Sequence, residues 1–133
     1  MYLLDTNILS HARKRGTPAA DWLQPMASSL LFMSVITLGE IERGVAMKEK
    51  SDRKAAERLA AWLEAIRANY ADRVLPVTDR ISIIWGRLAA QRTRGDADGL
   101  IAATALAHEL TLVTRNTRDF HDTGVKLIDP WSA

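Results

Sequence analysis

Short apolar runs alternate along this chain with longer stretches in which apolar residues recur at helical spacing among charged ones. The runs predict five strands, at residues 2–4, 30–33, 74–77, 110–114 and 125–128. Helices are predicted at residues 8–12, 35–48, 52–71, 79–91 and 98–109. A further helix is predicted to begin at Pro18, with Thr17 as its N-cap. Strands that alternate with helices are typical of a parallel sheet covered on both faces. We therefore predict an α/β fold in one domain spanning residues 1–133, with Pro76 marking an edge strand.

Composition narrows the classes of protein to consider. Hydrophobic residues make up 47% of the 133 residues and charged residues 26%, which is ordinary for a soluble domain. No apolar run approaches the roughly 18 residues of a membrane span, and no basic segment precedes the first acid, so we expect a cytoplasmic protein. Without cysteine there is no disulfide or thiolate metal site. Because the net charge is only +2, nucleic-acid binding would need local basic clusters.

Four acidic residues occupy equivalent places in this pattern, each at a junction of a strand and a helix: Asp5, Glu40, Asp98 and Asp119. In consecutive βαβ units, the carboxyl ends of the strands and the amino ends of the helices share one rim of the sheet. The four carboxylates should therefore meet there, where they repel one another unless a divalent cation holds them. Such a cluster is typical of a magnesium-dependent site that cuts phosphodiesters.

Each acid also has a purely structural interpretation. Asp5 and Asp98 suit helix N-caps, Glu40 follows Thr37 as in a capping box, and Asp119 suits a turn. Four such acids on one rim nevertheless favour a single metal site. Neutral polar groups on the same rim strengthen that hypothesis, because they suit a hydrated hard cation: Asn7, Thr114 and Asn116.

Motifs at these positions resemble a known family. They are Asp5-Thr6-Asn7 after the first strand, Glu40-Ile41 in the helix after the second, the segment DGLIAAT from Asp98, and the segment LVTRNTRDF at 112–120. In order and spacing they resemble a PIN domain over essentially the whole chain. The closest resemblance is to VapC-type ribonuclease toxins of type II toxin–antitoxin modules, including the FitB-like branch.

The resemblance implies a single three-layer α/β/α domain with a five-stranded parallel sheet, cleavage of RNA, and a VapB-like antitoxin as partner. Asp5, Glu40, Asp98 and Asp119 match the acidic quartet of the family, and Thr6, Asn7 and Asn116 match its supporting positions. Asp96 lies two residues before Asp98, and we choose Asp98 because it occupies the Asp-x-x-Ile-Ala-Ala place. Asp96 either helps to hold water at the metal or has no role.

The predicted reaction is hydrolysis by water with Mg²⁺ as cofactor, for which Mn²⁺ substitutes. Asp5, Asp98 and Asp119 are the predicted ligands; Glu40 orients the water, takes its proton or binds a second ion. Products should carry a 5′-phosphate and a 3′-OH. The histidines are predicted to be surface or helix-end residues without a catalytic role: His11, His108 and His121.

Basic residues close to the predicted rim are candidates for RNA binding: Arg13, Lys14, Arg15, Arg43, Arg115 and Arg118. The alternative is that they are ordinary solvated charges. The four tryptophans are expected to anchor the core or an interface rather than to stack on bases.

Two other functions stay open. One is a PIN-fold nuclease of general RNA or DNA processing, and the other is a non-catalytic binding module.

A homodimer is also predicted, which would assemble with the antitoxin into a larger complex. The hairpin of helices 35–48 and 52–71, joined by a charged turn at 47–54, offers more apolar surface than one small sheet needs. The predicted contact residues are Val45, Met47, Leu59, Trp62 and Leu63.

Overall fold

A five-stranded parallel sheet forms the centre of the molecule in the computed structural model, which describes residues 1–132. The strands are β1 (Tyr2–Leu4), β2 (Leu31–Ser34), β3 (Val74–Leu75), β4 (Thr111–Val113) and β5 (Leu127–Ile128). Their order is β3-β2-β1-β4-β5, and every pair is parallel. The α/β prediction is confirmed, and β3 lies at an edge, as Pro76 indicated. That residues 1–133 form one domain stays a prediction, and its last residue lies outside the described residues.

Six helices of the described chain connect and cover these strands. They are α1 (Thr6–Ala12), α2 (Pro18–Leu23), α3 (Val35–Glu49), α4 (Arg53–Asn69), α5 (Asp79–Gln91) and α6 (Asp96–Ala107). Short 3₁₀ turns lie at Ser28–Leu30 and Thr117–Asp119. Within residues 1–132, none of the helices combines the length and apolarity that a membrane span requires.

Local side-chain chemistry explains where most helices begin. Thr17, Ser34 and Thr78 each accept a hydrogen bond from a backbone N–H in the first turn, which satisfies one of the unpaired donors there. Two predicted starts were wrong. α1 begins at Thr6, not at residue 8, because Asp5 itself is the N-cap. α6 begins at Asp96 behind Gly95, so that Asp98 is the third helical residue and not the cap.

The two faces of the sheet carry separate hydrophobic cores. Adjacent residues of a strand point to opposite faces, and Leu3 and Leu4 accordingly enter different clusters. Leu3 packs with Ile81 of α5 and Ile101 of α6, whereas Leu4 packs with residues of α1, α2 and α4. The result is the predicted three-layer arrangement of helices, sheet and helices.

The α3–α4 hairpin differs from what the dimer prediction assumed. Val45 and Leu63 are buried within the chain, and Trp62 packs against the core on the α1 side of the sheet. The guanidinium of Arg13 covers the Trp62 ring at 4.8 Å from its centroid. Among the five residues proposed for the contact, Met47 is the large exposed apolar one, at 57% exposure. The hairpin therefore buries much of its apolar surface internally, and the dimer itself stays a prediction.

Strand order determines where a ligand can bind. The chain starts in the central strand β1, moves outward through β2 and β3, and then returns to β4 on the other side of β1. A parallel sheet opens a crevice at the carboxyl ends of the strands where the direction of winding reverses. In this molecule that place lies between β1 and β4, beyond Leu4 and Val113.

Candidate active site

Asp5 is buried at the carboxyl end of β1, and its carboxylate is held by several donors. Its backbone N–H donates to the carbonyl oxygen of Val113 on β4 at 2.9 Å. Its Oδ1 accepts from the backbone N–H of Thr6 at 2.8 Å. Its Oδ2 accepts from the Thr114 hydroxyl at 2.8 Å and from the Asn7 side-chain amide at 3.2 Å. These donors fix the orientation of the carboxylate.

Burial raises the pKa of Asp5 from its ordinary value of 3.8 to about 6. Hydrogen bonds from Thr114 and Thr6 oppose the rise, whereas the negative charges of Asp98 and Glu40 add to it. Ionised Asp5 is therefore costly to the folded protein. A cation that entered beside it would relieve both the lost hydration and the repulsion.

The predicted supporting residues form the shell around Asp5. The side-chain Oδ1 of Asn7 accepts from the backbone N–H of Arg115 at 3.2 Å. The Thr114 hydroxyl oxygen accepts from the backbone N–H of Asn116 at 3.0 Å. These contacts connect the start of α1 to the loop that follows β4, so both segments meet at the same place.

Glu40 lies in the second turn of α3, and its Oε1 accepts from the Thr6 hydroxyl at 2.6 Å. The Thr6 and Thr37 hydroxyls lie 3.0 Å apart. Because Thr6 has one hydroxyl proton and a carboxylate only accepts, Thr6 donates to Glu40 and accepts from Thr37. The capping-box interpretation of Glu40 is wrong, since the N-cap of α3 is Ser34 and its third helical residue is Thr37.

Asp98 is half-buried in the first turn of α6. Burial raises its pKa, and the negative charges of Asp119 and Glu40 raise it further, whereas the guanidinium of Arg94 opposes the rise. Asp96 begins the same helix but is exposed to solvent. Asp98 and Asp96 therefore occupy different environments, and Asp98 is the one close to the other acids.

Asp119 ends the 3₁₀ turn at Thr117–Asp119 and is exposed. Its backbone N–H donates to the carbonyl oxygen of Asn116 at 3.0 Å, which closes the turn. After burial, the negative charge of its carboxylate is the largest cause that raises the pKa of Asp98. Asp119 thus belongs to the same electrostatic cluster, at its outer side.

A cavity of about 330 Å³ lies among these residues. Its lining consists of Asp5, Thr6, Asn7, Ser10, His11, Glu40, Asp98 and Asn116. A larger cavity of about 510 Å³ lies near Ser28 and Arg73, but it lacks this set of carboxylates. The predicted rim is therefore a real crevice in which Asp5, Glu40 and Asp98 come together, with Asp119 at its edge.

Ser10 and His11 line the crevice, although the sequence reasoning assigned them no place there. Both lie on α1 three and four residues after Asn7, and that spacing puts them on the same helix face as Asn7. Helical periodicity was therefore the signal that could have identified them. The His11 ring packs edge-on against Trp131, with 5.1 Å between centroids.

The predicted RNA-binding residues occupy several surfaces. All six are exposed: Arg13, Lys14, Arg15, Arg43, Arg115 and Arg118. The Arg115 guanidinium lies 4.6 Å from the centroid of the Trp131 ring, which also contacts His11. The Trp131 ring thus contacts the Arg115 guanidinium and the His11 imidazole beside the crevice. It also packs against the core, as expected for an anchor.

An arginine pair next to the crevice was missed from the sequence. Arg92 Nε donates to Asp122 Oδ2 at 2.6 Å, and Arg94 Nη1 lies 3.2 Å from Asp122 Oδ1. Both guanidinium groups also donate to the carbonyl oxygen of Asp119. No local pattern reveals this contact, because about thirty positions separate the partners.

The donor set fits a hard divalent cation. Within residues 1–132, no group of three or more His, Asp or Glu side chains is arranged to hold a metal ion as it stands. Mg²⁺ does not require such a cage, since it usually keeps several waters and binds through one or two carboxylates. The crevice offers oxygen donors of that kind from Asp5, Glu40 and Asp98, and burial, which raises the pKa of Asp5, disfavours its ionised form when no cation is near.

Comparison with known proteins places this geometry in context. A family model for the PIN domain matches residues 2–126. The chain is 35% identical over 142 residues to plasmid stability protein StbB of Pseudomonas syringae pv. tomato, covering 100% of both. It is 33% identical over 140 residues to toxin FitB of Neisseria gonorrhoeae, covering 98% of this chain and 99% of that protein. It is 34% identical over 138 residues to VapC ribonuclease Y4jK of Sinorhizobium fredii, covering 98% of each.

Solved structures agree with these similarities. The crystal structure of FitAcB from Neisseria gonorrhoeae superposes with a TM-score of 0.89 at 31% identity, covering 100% of both chains. The structure of FitAB bound to an IR36 DNA fragment gives a TM-score of 0.86 at 30% identity, covering 98% of this chain and 96% of that chain.

Proposed function

This chain belongs to the PIN-domain family, and from that premise we propose that it is the toxin of a type II toxin–antitoxin module, an endoribonuclease that depends on a divalent metal. Relatives named toxin FitB and VapC ribonuclease Y4jK, each matched over nearly their whole length, support the toxin and ribonuclease assignments. The observation that carries the proposal is the crevice itself. Asp5, Glu40 and Asp98 line it together, and Asp119 acts on Asp98 from its edge.

Asp5, Asp98 and Asp119 are the proposed ligands of Mg²⁺, or of Mn²⁺ in its place. When bound, the ion would acidify water and offset the charge of the phosphate. Asp5 is already oriented for this role by Thr6 and Thr114, so little reorganisation is required. The negative charges of the neighbouring carboxylates attract the cation, and its binding would relieve their mutual repulsion.

Glu40 is proposed to orient the attacking water and accept its proton, or to share in metal binding. The Thr6 hydroxyl occupies Oε1 at 2.6 Å and restricts rotation of the carboxylate. Thr37 donates to Thr6 in turn, so the orientation of Glu40 is fixed by a chain of two hydroxyls. A carboxylate whose orientation is restricted in this way supports the proposed role as general base.

RNA is the proposed substrate, contacted by basic groups around the acidic crevice. The Arg115 guanidinium lies over the Trp131 ring, which His11 also contacts, and it offers a positive charge close to the proposed cleavage site. The other basic residues remain candidates for contacts with phosphates farther along the RNA: Arg13, Lys14, Arg15, Arg43 and Arg118. Since its substrate is RNA, the protein is proposed to act in the cytoplasm.

The proposed partner is a VapB-like antitoxin. The structure of FitAB with an IR36 DNA fragment supports assembly of this kind of protein with a second chain and with DNA.

We also propose a homodimer within the larger complex. Light scattering at micromolar concentration tests the dimer, and a monomeric mass would reject it.

The decisive test compares two neighbouring acids. Purified wild type, Asp98→Ala and Asp96→Ala are incubated with end-labelled RNA and Mg²⁺. We expect Asp98→Ala to abolish cleavage and Asp96→Ala to keep a substantial fraction, because Asp96 is exposed whereas Asp98 lines the crevice. Products should carry 5′-phosphate ends.

Other outcomes have distinct meanings. Cleavage of DNA in preference to RNA would favour a nuclease of another substrate class. Absence of cleavage by the wild type with either Mg²⁺ or Mn²⁺ would favour a non-catalytic module and reject the proposal. Equal loss in both variants would show that the first turn of α6 is used differently.

A further inference from the structure

One charged cluster joins the segment that precedes α6, the helix of Asp98, to the segment that follows the 3₁₀ turn of Asp119. Arg92 and Arg94 lie in the segment before α6, and Asp122 lies in the segment after the 3₁₀ turn. Arg92 Nε donates to Asp122 Oδ2 at 2.6 Å. Arg94 donates through Nη1 to Oδ1 at 3.2 Å and through Nη2 to Oδ2 at 3.5 Å. One carboxylate therefore receives both guanidinium groups.

The same guanidinium groups also contact the backbone of Asp119. Its carbonyl oxygen accepts from Arg92 Nη2 at 3.0 Å and from Arg94 Nη1 at 3.4 Å. Because the Asp119 side chain is exposed, the position of its carboxylate depends on how firmly its backbone is held. The hydrogen bonds from the two guanidinium groups hold that backbone directly.

Arg94 reaches the other acid through packing. Its side chain is only 4% exposed, and its Cδ lies 3.7 Å from where a Cβ on Gly99 would stand. Gly99 is the residue after Asp98 in the first turn of α6. The aliphatic part of Arg94 thus packs against α6 at the residue next to Asp98, while its guanidinium contacts the backbone of Asp119.

Stability alone does not account for this arrangement. Within the described chain, Arg94 Nε is buried without a hydrogen-bond partner, which carries an energetic cost. Asp122 is exposed and the Arg92 side chain is 41% exposed, and ion pairs with solvent access contribute little net stability. The cluster therefore suits a role in fixing relative positions.

We propose that Arg92, Arg94 and Asp122 form a latch that sets the position of Asp119 relative to Asp98, which makes all three positioning residues of the crevice. None of them is a proposed metal ligand. The inference rests on the proposed function, since it concerns two acids of that site. Its consequence is that loss of the latch weakens chemistry and cation binding while the RNA-binding surface stays intact.

Asp122→Ala tests the latch, with Asp72→Ala as its matched control. Asp72 also pairs with a largely buried arginine, Arg73, at 3.5 Å, but outside the crevice. We expect Asp122→Ala to lower kcat by about 10-fold to 100-fold, the range in which misplacement of about 1 Å affects catalysis, with little change in KM. Asp122→Glu, which keeps the charge, should recover part of the loss.

Binding of Mn²⁺ alone, measured by electron paramagnetic resonance, gives a readout that does not need activity. We expect weaker Mn²⁺ binding in Asp122→Ala than in wild type or Asp72→Ala, all at a temperature where melting curves show folded protein. Should Asp122→Ala be unfolded there, Asp122→Asn takes its place in both measurements, because it removes the charge and keeps the shape.

The two proposals fail separately. If wild type cleaves no RNA, the proposed function is rejected, and the Mn²⁺ comparison still decides for or against the latch. If wild type cleaves RNA and the Asp122 variant matches it in kcat and Mn²⁺ binding, the latch is rejected. A change confined to KM also overturns it, because Asp122 would then act on RNA binding.

Discussion

The buried charge of Asp5 leads to a quantitative prediction for Asp5→Asn. Raising the pKa from 3.8 to about 6 means that ionised Asp5 costs the folded state about 3 kcal/mol, at about 1.4 kcal/mol per pH unit. Asn has nearly the same shape and carries no charge. Its amide would, however, face the two donors to Oδ2, the Thr114 hydroxyl and the Asn7 amide. The Thr114 hydroxyl can rotate and accept instead, whereas the hydrogen bond from Asn7 is lost at a cost of about 1 kcal/mol.

We therefore expect Asp5→Asn to be more stable than wild type at pH 7.5 without metal, by about 1–2 kcal/mol or about 4–8 °C in Tm. The advantage should depend on pH. Between 3.8 and about 6 the folded carboxyl holds a proton that the unfolded one has lost, so the stability of wild type falls as pH rises through this range. At pH 4.5 the cost of Asp5 is only about 1 kcal/mol, and the two proteins should be nearly equal.

Urea denaturation of both proteins at pH 7.5 and pH 4.5, with chelator present, measures the difference. A mutant that is less stable at pH 7.5, or a difference that does not change with pH, would refute the reasoning. Addition of Mg²⁺ supplies the control. A cation held by Asp5 stabilises the folded wild type by about 2.7 kcal/mol at 100 times its Kd, and most of this gain should be absent from Asp5→Asn.

Two further predictions concern packing and the shell around Asp5. Gly99→Ala places a methyl group 2.9 Å from Trp85 Cδ1 and should cost about 1–3 kcal/mol in urea denaturation, whereas Gly86→Ala meets open space and should gain about 0.5–1 kcal/mol. Thr114→Val removes the 2.8 Å hydrogen bond to Asp5 and should raise the pKa of that carboxyl further, with about 1.5–3 kcal/mol lost at pH 7.5 and less at pH 4.5. A pH-independent loss in Thr114→Val would assign the effect to packing.

Much of the scaffold follows from local signals. The run Tyr2–Leu4 is apolar at consecutive positions, as required of a strand buried on both faces, and it forms β1 between two cores. Thr17 with Pro18, and Thr78, mark helix starts by side-chain chemistry that needs only neighbouring residues. The place of the acids at strand ends, and hence the crevice between β1 and β4, followed from the same signals and the topology of parallel sheets.

Other features depend on residues that are far apart in sequence. The start of α6 at Asp96 was missed because Gly95 is a weaker cap signal than Asp98. The raised pKa of Asp5 requires burial beneath several elements and the charges of Asp98 and Glu40. The Arg92–Asp122 contact, and the packing of the partly buried Trp62 against the core, likewise exist only once the chain is packed.

The sequence by itself therefore determined the order of elements and which acids could share one rim, because hydrophobic period and capping act over a few residues. Tertiary structure decided that Asp5 is buried and that Arg94 joins the segments of Asp98 and Asp119. The physical reason is that desolvation and charge–charge interaction depend on distances through space. Those distances are set only when the helices have packed on the sheet.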